Sequence, residues 1–398
     1  MNQTYASVLG VVVNYKISLR LTVFNCIAAS LIATLAQQGH AQTYMPQKNG
    51  QFYLPDEWLL GSGQTFHYRV PATSGGRPLG SREPTRGERN AVDRISELFA
   101  ASESKVLLLG DGSEIVDMRL KAPAREDGLL LSASIDKSVT AFSAGIAVCD
   151  GKIALDTLAG DVLPELAGTD IGKTTLRDNL KMASGTTRAF DDSQSLTAEE
   201  TADMQSGRKS FMDFLKGRLG VARFWIKPGE RFDYKSQDPL LVGMMVTAAY
   251  GMHGKKFREW QTEYFFPKVQ TSDRRIQGTD RFAYAQSDGN TRMTLKDWAR
   301  LAVFIQASRK STGCYGDFIR EATSTQIQSD RRFAKMYNGY GYFTWTDNQD
   351  IPNSYSALGY GGQAIVWSTT NDKYIVVFSN STSAREIHRM AKLWLESQ

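Results

Sequence analysis

Apolar residues recur along this chain with a helical period through most of its length and with a period of two near its end. Two apolar stretches, 105–109 and 115–120, flank Asp111-Gly112, a dipeptide typical of a tight β-hairpin turn. The periods predict helices at 91–101, after Ser134, at 239–250 and at 386–396, and strands at 340–345, 363–368 and 374–380. The pattern therefore indicates a hairpin, a helix-rich middle, antiparallel strands and a closing helix.

This order of elements predicts an α/β (α+β) fold with two subdomains. We assign residues 90–160 and 330–398 to an α/β subdomain and residues 161–329 to a mainly helical one. Residues 42–89, rich in Gly, Pro and Arg, are expected to form an irregular segment that wraps the surface. In the middle region, Thr197 and Thr294 each begin a sequence typical of a helix capping box.

Residues 1–41 have the pattern of a secretory signal peptide. Lys16 and Arg20 precede an apolar run at 21–36, and Gly39-His40-Ala41 supplies small residues at the cleavage positions. A membrane anchor is the alternative, but the run is shorter than the roughly 20 residues of a spanning helix. We therefore expect a periplasmic or secreted protein with no stable membrane span after removal of the leader.

The charge and the cysteines exclude some function classes. Without the leader, 45 basic residues face 42 acidic ones, and the net charge of +3 is too weak to indicate a nucleic-acid partner. Cys149 and Cys314 would remain in the mature chain. They could pair in an oxidising compartment, but their distance in sequence favours two separate buried thiols, and their spacing predicts no metal site.

The tetrad Ser134-Ile135-Asp136-Lys137 is the first candidate for chemistry. Residues three apart share a helix face, so the Lys137 amine can reach the Ser134 hydroxyl and accept its proton. Ser102 and Ser206 begin tetrads with the same spacing, but Ser102 runs into a predicted strand and Ser206 lies in a Gly-rich, charged stretch. Because Ser134 begins a predicted buried helix, we favour it as the nucleophile.

A histidine base is not indicated. His67, His253 and His388 lie in ordinary polar settings and are interpreted as surface residues, and no G-x-S-x-G motif occurs. Tyr234 and Ser236 follow Pro228-Gly229 directly before an apolar helix, where the phenol could shuttle a proton and the serine could hydrogen-bond substrate. A turn tyrosine with a helix-capping serine is the alternative.

The segment Gly359-Tyr360-Gly361-Gly362-Gln363 is predicted to begin a strand. Glycines let a substrate approach the backbone closely, and an edge-strand amide can point at a developing oxyanion. A simple bulge or turn is the alternative interpretation. Four tryptophans, Trp225, Trp298, Trp345 and Trp367, are interpreted as core residues rather than as the lining of a pocket.

Taken in order, Ser-x-x-Lys, Tyr-x-Ser and the glycine-rich strand resemble the motifs of the penicillin-recognising serine hydrolases. From about residue 104 to its end, the chain resembles the class C β-lactamase-like family, on its 6-aminohexanoate-dimer hydrolase and carboxylesterase side. The resemblance implies a β-lactamase/transpeptidase-like fold, an antiparallel sheet flanked by helices plus an all-helical subdomain.

The resemblance also implies a role for each candidate residue. Ser134 would be the acylated nucleophile, Lys137 its base, Tyr234 the proton shuttle and Ser236 a supporting donor. The oxyanion hole would use the backbone amides of Ser134 and Tyr360, within the segment formed by Gly359, Tyr360, Gly361 and Gly362. No cofactor and no metal are implied, and the expected partner is a small-molecule ester or amide substrate.

Two departures from the family pattern narrow the expected activity. Gly359-Tyr360-Gly361 replaces the Lys-Thr-Gly triplet of true β-lactamases, and Ser236 stands where those enzymes usually carry Asn. Both favour ester or linear amide hydrolysis over antibiotic hydrolysis. The segment 186–192 differs from the substrate-clamping segment of the dimer hydrolases, which argues against activity on nylon oligomers.

Two alternatives stay open at this point. A β-lactamase or D-alanyl carboxypeptidase would keep the fold and act on β-lactams or peptidoglycan peptides. A catalytically inactive protein that binds cell-wall fragments would keep the fold alone, although the intact Ser134, Lys137 and Tyr234 argue against it. The sequence leaves the acyl group, the leaving group and the oligomeric state open.

Overall fold

The computed structural model describes residues 47–48, 51–52, 55–61, 66–186, 197–222, 226–330, 334–381 and 384–398, all within the unit Met45–Gln398. The predicted signal peptide, Trp225 and residues 187–192 lie outside these residues. The strands are β1 Gln47–Lys48, β2 Gln51–Phe52, β3 His67–Val70, β4 Gly80–Ser81, β5 Ser104–Asp111, β6 Glu114–Leu120, β7 Leu130–Leu131, β8 Arg275–Gly278, β9 Thr291–Met293, β10 Ile327–Gln328, β11 Tyr337–Tyr340, β12 Trp345–Asn348, β13 Ser354–Gly359, β14 Gln363–Ser368 and β15 Lys373–Ser379.

The helices are α1 Asp56–Leu59, α2 Arg86–Ala101, α3 Ile135–Cys149, α4 Ala159–Val162, α5 Leu176–Leu180, α6 Ala198–Ser206, α7 Phe211–Lys216, α8 Gln237–Ala249, α9 Phe257–Trp260, α10 Phe266–Val269, α11 Leu295–Lys310, α12 Cys314–Ala322 and α13 Ala384–Leu395. Between α9 and α10 the chain forms a π-helical turn, Gln261–Phe265.

A nine-stranded sheet runs in the order β10-β11-β12-β13-β14-β15-β5-β6-β4. All neighbours pair antiparallel except β4 and β6, which are parallel. The predicted hairpin at Asp111-Gly112 joins β5 and β6, and Gly112 has the positive φ of 55° that favours glycine in such turns. The expected antiparallel sheet is therefore confirmed.

Both faces of this sheet are covered, which explains why residues 106–109 are apolar without alternation. Leu107 and Leu109 pack on one face against α2 and α13, in a cluster that includes Phe99 and Trp394. Val106 and Leu108 face the larger core. That core contains Phe142 of the helix after Ser134, Trp298 of α11 and Trp367 of β14.

A second sheet of four antiparallel strands, in the order β3-β8-β9-β7, delivers the chain to Ser134. Leu130 and Leu131 of β7 pair with Met293 and Arg292 of β9. Directly after β7, the Ser132 amide donates to Thr291 O at 2.8 Å. The small sheet thereby fixes the entry point of α3.

Most predicted elements are present, with one wrong strand. The strand expected at 340–345 is instead a turn, since Tyr340 ends β11 and Trp345 begins β12. Phe343 lies in this turn with a φ of 48°, which an extended strand excludes. The region 42–89, expected to be irregular, contains β3 and β4. Strand β3 belongs to the four-stranded sheet and β4 to the nine-stranded sheet. The division into subdomains stays a prediction.

Both predicted helix caps are formed. Thr197 and Glu200 make a capping box in both directions, whereas Thr294 accepts from the Asp297 amide alone. No helix among the described residues is long and apolar enough to cross a bilayer.

The two cysteines are joined, so the interpretation as separate thiols is wrong. Cys149 and Cys314 form a disulfide with their Cα atoms 5.6 Å apart, 165 residues apart in sequence. Cys149 ends α3 and Cys314 begins α12, and the two helices pack closely, with Phe318 against Gly145. Helix packing, which sequence spacing does not report, brings the thiols together.

Candidate active site

Ser134 lies at the N-terminus of α3, after a sharp turn of the backbone. Ala133 has a φ of 42°, in the left-handed region, and Ser134 returns to φ −69° and ψ 0°. Ser134 is half-buried, whereas the helix that follows is buried along nearly its whole length. The hydroxyl therefore stands at the positive end of the helix dipole, which favours negative charge.

Lys137 lies one turn into the same helix and contacts the hydroxyl. Its Nζ is 3.0 Å from Ser134 Oγ and donates to the backbone oxygen of Asp288 at 2.9 Å. The Asp288 carboxylate is 3.9 Å from Nζ, and the Lys137 side chain is 4% exposed. Within the described residues, Ser134 makes no side-chain bond to the helix start, and its Oγ accepts from Lys137 Nζ. The contact that the tetrad spacing predicts is present.

Tyr234 lies beside this pair in an aromatic cluster. Lys137 Nζ is 5.1 Å from the centroid of its ring. The ring stacks on Trp345 at 5.4 Å and meets Tyr340 edge-on at 6.3 Å. Burial raises the pKa of Tyr340 well above its ordinary value, so that neighbouring phenol stays neutral. The cluster holds the Tyr234 ring in place next to the lysine.

The segment before Tyr234 is fastened to a neighbouring loop. The Gly229 amide donates to Ala183 O at 2.7 Å, and the Asp233 amide donates to Met182 O at 2.8 Å. Ser236 follows at the N-terminus of α8, half-buried, and makes no side-chain cap bond among the described residues. The capping-serine alternative for Ser236 is therefore not supported.

Lys235, between Tyr234 and Ser236, is wholly buried together with Asp238. Its Nζ lies 3.7 Å from Asp238 Oδ2, and both side chains are 0% exposed. Ser184 Oγ donates to Asp238 Oδ1 at 2.7 Å. Burial raises the pKa of the Asp238 carboxyl to about 6, against the opposing effect of Lys235. The hydrogen bond from Ser184 to Asp238 joins the start of α8 to the loop that contains Ser184.

The glycine-rich segment forms a hairpin turn rather than the start of a strand. Gly359 ends β13, and Gln363 begins β14 opposite it. Gly361 and Gly362 have φ values of 80° and 86°, which the turn requires. The segment is therefore a turn and the strand begins at Gln363, whereas the oxyanion role of Tyr360 stays a prediction.

Gly359 places this hairpin directly against the nucleophile. A Cβ at Gly359 would lie 2.5 Å from Ser132 O and 3.0 Å from the Ala133 Cβ. The side chain of Gln363 stabilises the turn, because its Nε2 donates to Tyr360 O at 3.0 Å and to Ser379 O at 2.7 Å. The main chain of β13 can reach the helix start because position 359 has no side chain.

The two other Ser-x-x-Lys tetrads lie in ordinary structural settings. Ser102 donates to Phe99 O at the end of α2, and Lys105 pairs with Asp56 at 3.7 Å. Ser206 likewise donates to Asp203 O at 3.1 Å at the end of α6. Context, rather than spacing, distinguishes Ser134.

His388 is buried, so its interpretation as a surface residue is wrong. It is 4% exposed, and its Nε2 lies 2.8 Å from Tyr337 Oη. Burial lowers its pKa to about 4. The amphipathic helix α13 turns this position toward the sheet, which the polar neighbours in sequence conceal. No group of three or more His, Cys, Asp and Glu in the described part of the chain is arranged to hold a metal ion.

Sequence reasoning missed several residues around the site, namely Asp288, Trp345, Lys235 and Asp238. Asp288 lies 151 residues from Lys137 in sequence, and no motif marks it. Trp345 was assigned to the core, and it is buried at 4% exposure, but it also stacks on Tyr234. The core assignment of Trp298 and Trp367, both 0% exposed, is confirmed.

The beta-lactamase family model matches residues 100–396 of this chain. The chain belongs to the beta-lactamase family. It is thus a beta-lactamase-like serine hydrolase by family, and the β-lactamase/transpeptidase-like fold that the sequence resemblance implies is confirmed. No curated protein has a sequence that matches this chain significantly.

Three solved structures illustrate this family fold. A protein described as a 6-aminohexanoate-dimer hydrolase from Bacillus anthracis aligns with a TM-score of 0.61 and 18% identity, over 82% of this chain and 88% of that one. A protein described as a beta-lactamase from Bacteroides dorei DSM 17855 gives 0.59 and 16%, over 74% and 90%. A penicillin binding protein from Bacillus halodurans gives 0.58 and 18%, over 74% and 97%. At these identities the similarity concerns the fold.

Proposed function

We propose that this protein is a secreted serine hydrolase that cleaves an ester or a linear amide through an acyl-enzyme on Ser134. The 3.0 Å contact between Lys137 Nζ and Ser134 Oγ at the start of a buried helix carries this proposal. Secretion rests on the leader-like residues 1–41.

In the first step, the Lys137 amine accepts the hydroxyl proton while Ser134 Oγ bonds to the carbonyl carbon of the substrate. The carbonyl oxygen becomes an oxyanion, which the backbone amides of Ser134 and Tyr360 and the start of α3 stabilise. Tyr234 gives its phenol proton to the leaving alcohol or amine as the bond between this group and the carbonyl carbon breaks, and Lys137 returns to Tyr234 the proton that it took from Ser134. An ester between Ser134 and the acyl group remains.

In the second step, water replaces the leaving group. The water passes one proton through Tyr234 to Lys137 as its oxygen attacks the acyl carbon, and Lys137 holds this proton for the serine. The bond to Ser134 Oγ then breaks, the serine regains its proton, and the acid product leaves. Ser236, half-buried at the start of α8, supplies a hydroxyl to substrate or to Lys137.

The substrate class follows from the hairpin next to Ser134. Gly359-Tyr360-Gly361 lacks the cation with which the Lys-Thr-Gly triplet binds a β-lactam carboxylate. A small substrate without a carboxylate at that position suits this turn, and an ester or a linear amide meets this requirement. The protein from Bacillus anthracis is named for hydrolysis of a linear amide, which agrees with this class.

Intact-mass analysis after exposure to a fluorophosphonate probe tests the nucleophile. One adduct on the wild type, lost in Ser134→Ala, supports the proposal. No adduct on either protein contradicts it and favours a binding protein for cell-wall fragments. A panel of p-nitrophenyl esters, anilides and a chromogenic β-lactam then tests the substrate class, and faster turnover of the lactam would favour β-lactamase activity instead.

A further inference from the structure

The backbone that receives the second hydrogen bond of Lys137 belongs to the loop 286–290, which leads into β9. Lys137 Nζ donates to the Asp288 carbonyl at 2.9 Å, and Thr140 of the same helix donates to the Ser287 carbonyl at 2.8 Å. The Gly278 amide donates to the Asn290 carbonyl at 3.0 Å. The position of this loop therefore helps to set the direction in which Nζ points.

Arg258 of α9 holds the same loop from the other side. Its Nη2 donates to the Gln286 carbonyl at 2.6 Å and to the Gly289 carbonyl at 3.4 Å. These two carbonyls flank the segment that Lys137 and Thr140 contact. Arg258 is 2% exposed, so its hydrogen bonds form away from bulk water, where an unmade bond is costly.

The guanidinium also ties the loop to the nucleophile helix. Arg258 Nη2 lies 2.8 Å from Asp136 Oδ2, within the tetrad that contains Ser134 and Lys137. The other oxygen, Asp136 Oδ1, accepts from Thr291 Oγ1 at 2.8 Å, at the end of the loop. One fixed guanidinium plane thus connects α9, α3 and the loop, which a lysine at position 258 could not match.

We propose that Arg258 is a positioning residue for Lys137. It holds the loop 286–289 so that the Asp288 carbonyl directs Lys137 Nζ onto Ser134 Oγ. This inference rests on the proposed function, in which that contact starts the reaction. Arg258 acts through the loop backbone and does not contact the substrate.

Arg258→Lys tests the role, because it keeps a cation for Asp136 but loses the planar fork. Arg292→Lys is the matched control, since Arg292 is 4% exposed and donates to two carbonyls elsewhere, Trp58 O at 2.7 Å and Leu59 O at 3.4 Å. We expect Arg258→Lys to lower kcat and the rate of fluorophosphonate labelling roughly 10- to 100-fold. KM should change by no more than about twofold, as for a group needed in the transition state only.

A milder variant guards against misfolding. Thr140→Val removes the neighbouring anchor of the Ser287 carbonyl without touching the ion pair, and it should lower kcat in the same direction by a smaller factor. Hydrogen exchange supplies a readout independent of catalysis. The amides of residues 286–291 should exchange faster in Arg258→Lys and at the wild-type rate in Arg292→Lys.

The outcomes separate the two proposals. Equal kcat values for Arg258→Lys and Arg292→Lys, with the wild type labelled at Ser134, overturn the positioning role and leave the proposed function intact. An unlabelled wild type overturns the proposed function, and exchange at 286–291 then decides whether Arg258 holds the loop. Unchanged exchange there overturns the inference in either case.

Discussion

At the residue scale, backbone geometry places the groups around Ser134. Ala133 holds a left-handed conformation that costs a residue with a side chain about 1–3 kcal/mol. The surroundings maintain it, because the Ser132 amide is bonded to Thr291 and the hairpin at Gly359 lies against the Ala133 Cβ. The close approach of β13 to the helix start depends on that one glycine.

Gly359→Ala should therefore separate the hairpin from the nucleophile. Its added methyl would lie 2.5 Å from Ser132 O, which is nearer than van der Waals contact allows. We expect kcat/KM to fall about tenfold or more, because the oxyanion amides move with the hairpin. Gly80→Ala is the control, since its methyl meets only Glu114 at 3.6 Å or beyond. Similar kinetics for both variants would contradict this account.

Tyr234→Phe should remove the proton shuttle and keep the ring against Trp345. Loss of a positioned proton donor and acceptor lowers kcat by about 10²- to 10⁴-fold. Tyr340→Phe is the matched control, because this phenol lies beside Tyr234 and its raised pKa keeps it neutral. Steady-state kinetics on the best ester of the panel measures both. An active Tyr234→Phe enzyme would remove Tyr234 from the mechanism.

At the element scale, α3 shows what a sequence can and cannot predict. Its apolar period predicts a buried helix with Ser134 at the first turn, because a period of 3.6 can be read from consecutive residues alone. The disulfide at its end and the Asp288 carbonyl beside Lys137 involve partners 165 and 151 residues away. Such contacts depend on how helices pack, and no local pattern records them.

Cys314→Ser should destabilise the packing of α3 against α12. The disulfide joins residues 165 apart, and closing a loop of that length lowers the entropy of the unfolded chain by an amount worth at most roughly 5 kcal/mol. Urea unfolding measures the loss of stability. Wild-type protein under reductant should lose the same amount, and an unchanged midpoint in both would show that the crosslink contributes nothing.

The buried pair at the start of α8 should respond differently to single and double substitution. Lys235→Met leaves the Asp238 carboxylate buried beside an apolar side chain, which costs about 3–5 kcal/mol. Lys235→Met with Asp238→Leu removes both charges and should restore most of that stability. The single variant's deficit should shrink from pH 7.5 to pH 5. Loss of Lys235 raises the pKa of Asp238 above its wild-type value of about 6, so the carboxyl takes up its proton at higher pH in the variant than in the wild type. Urea unfolding of both variants at each pH gives the comparison.

At the scale of the whole molecule, the order of helices and strands was predictable from the sequence. Which side chains they bury when they pack together was harder to predict. The hairpin at Gly112, the strands from 363 onward and the closing helix have strong local signals, and they are present. His388 was misplaced because α13 packs one of its faces on the sheet, and its polar neighbours in sequence lie on the other. The side chains that a sheet buries on both faces become visible only with the sheet assembled.

The burial of His388 should make the stability of the whole protein depend on pH. Its pKa is about 4 in the folded protein, against an ordinary value of 6.5. Between these values the unfolded chain binds a proton that the folded protein does not, so stability falls as pH decreases from 6.5 to 4. The full effect is about 3 kcal/mol, and it persists below pH 4.

Urea unfolding between pH 7 and pH 4 tests this with His388→Gln, which removes the titrating group and keeps a polar partner for Tyr337. The wild type should lose more stability than this variant as the pH falls, whereas His253→Gln, at an exposed position, should follow the wild type. Carboxylates that titrate in the same range contribute equally to the stability of both proteins, so their contribution cancels in the difference between the curves. Parallel curves for wild type and His388→Gln would mean that His388 takes up its proton equally in both states, and the buried neutral imidazole would then have to be abandoned.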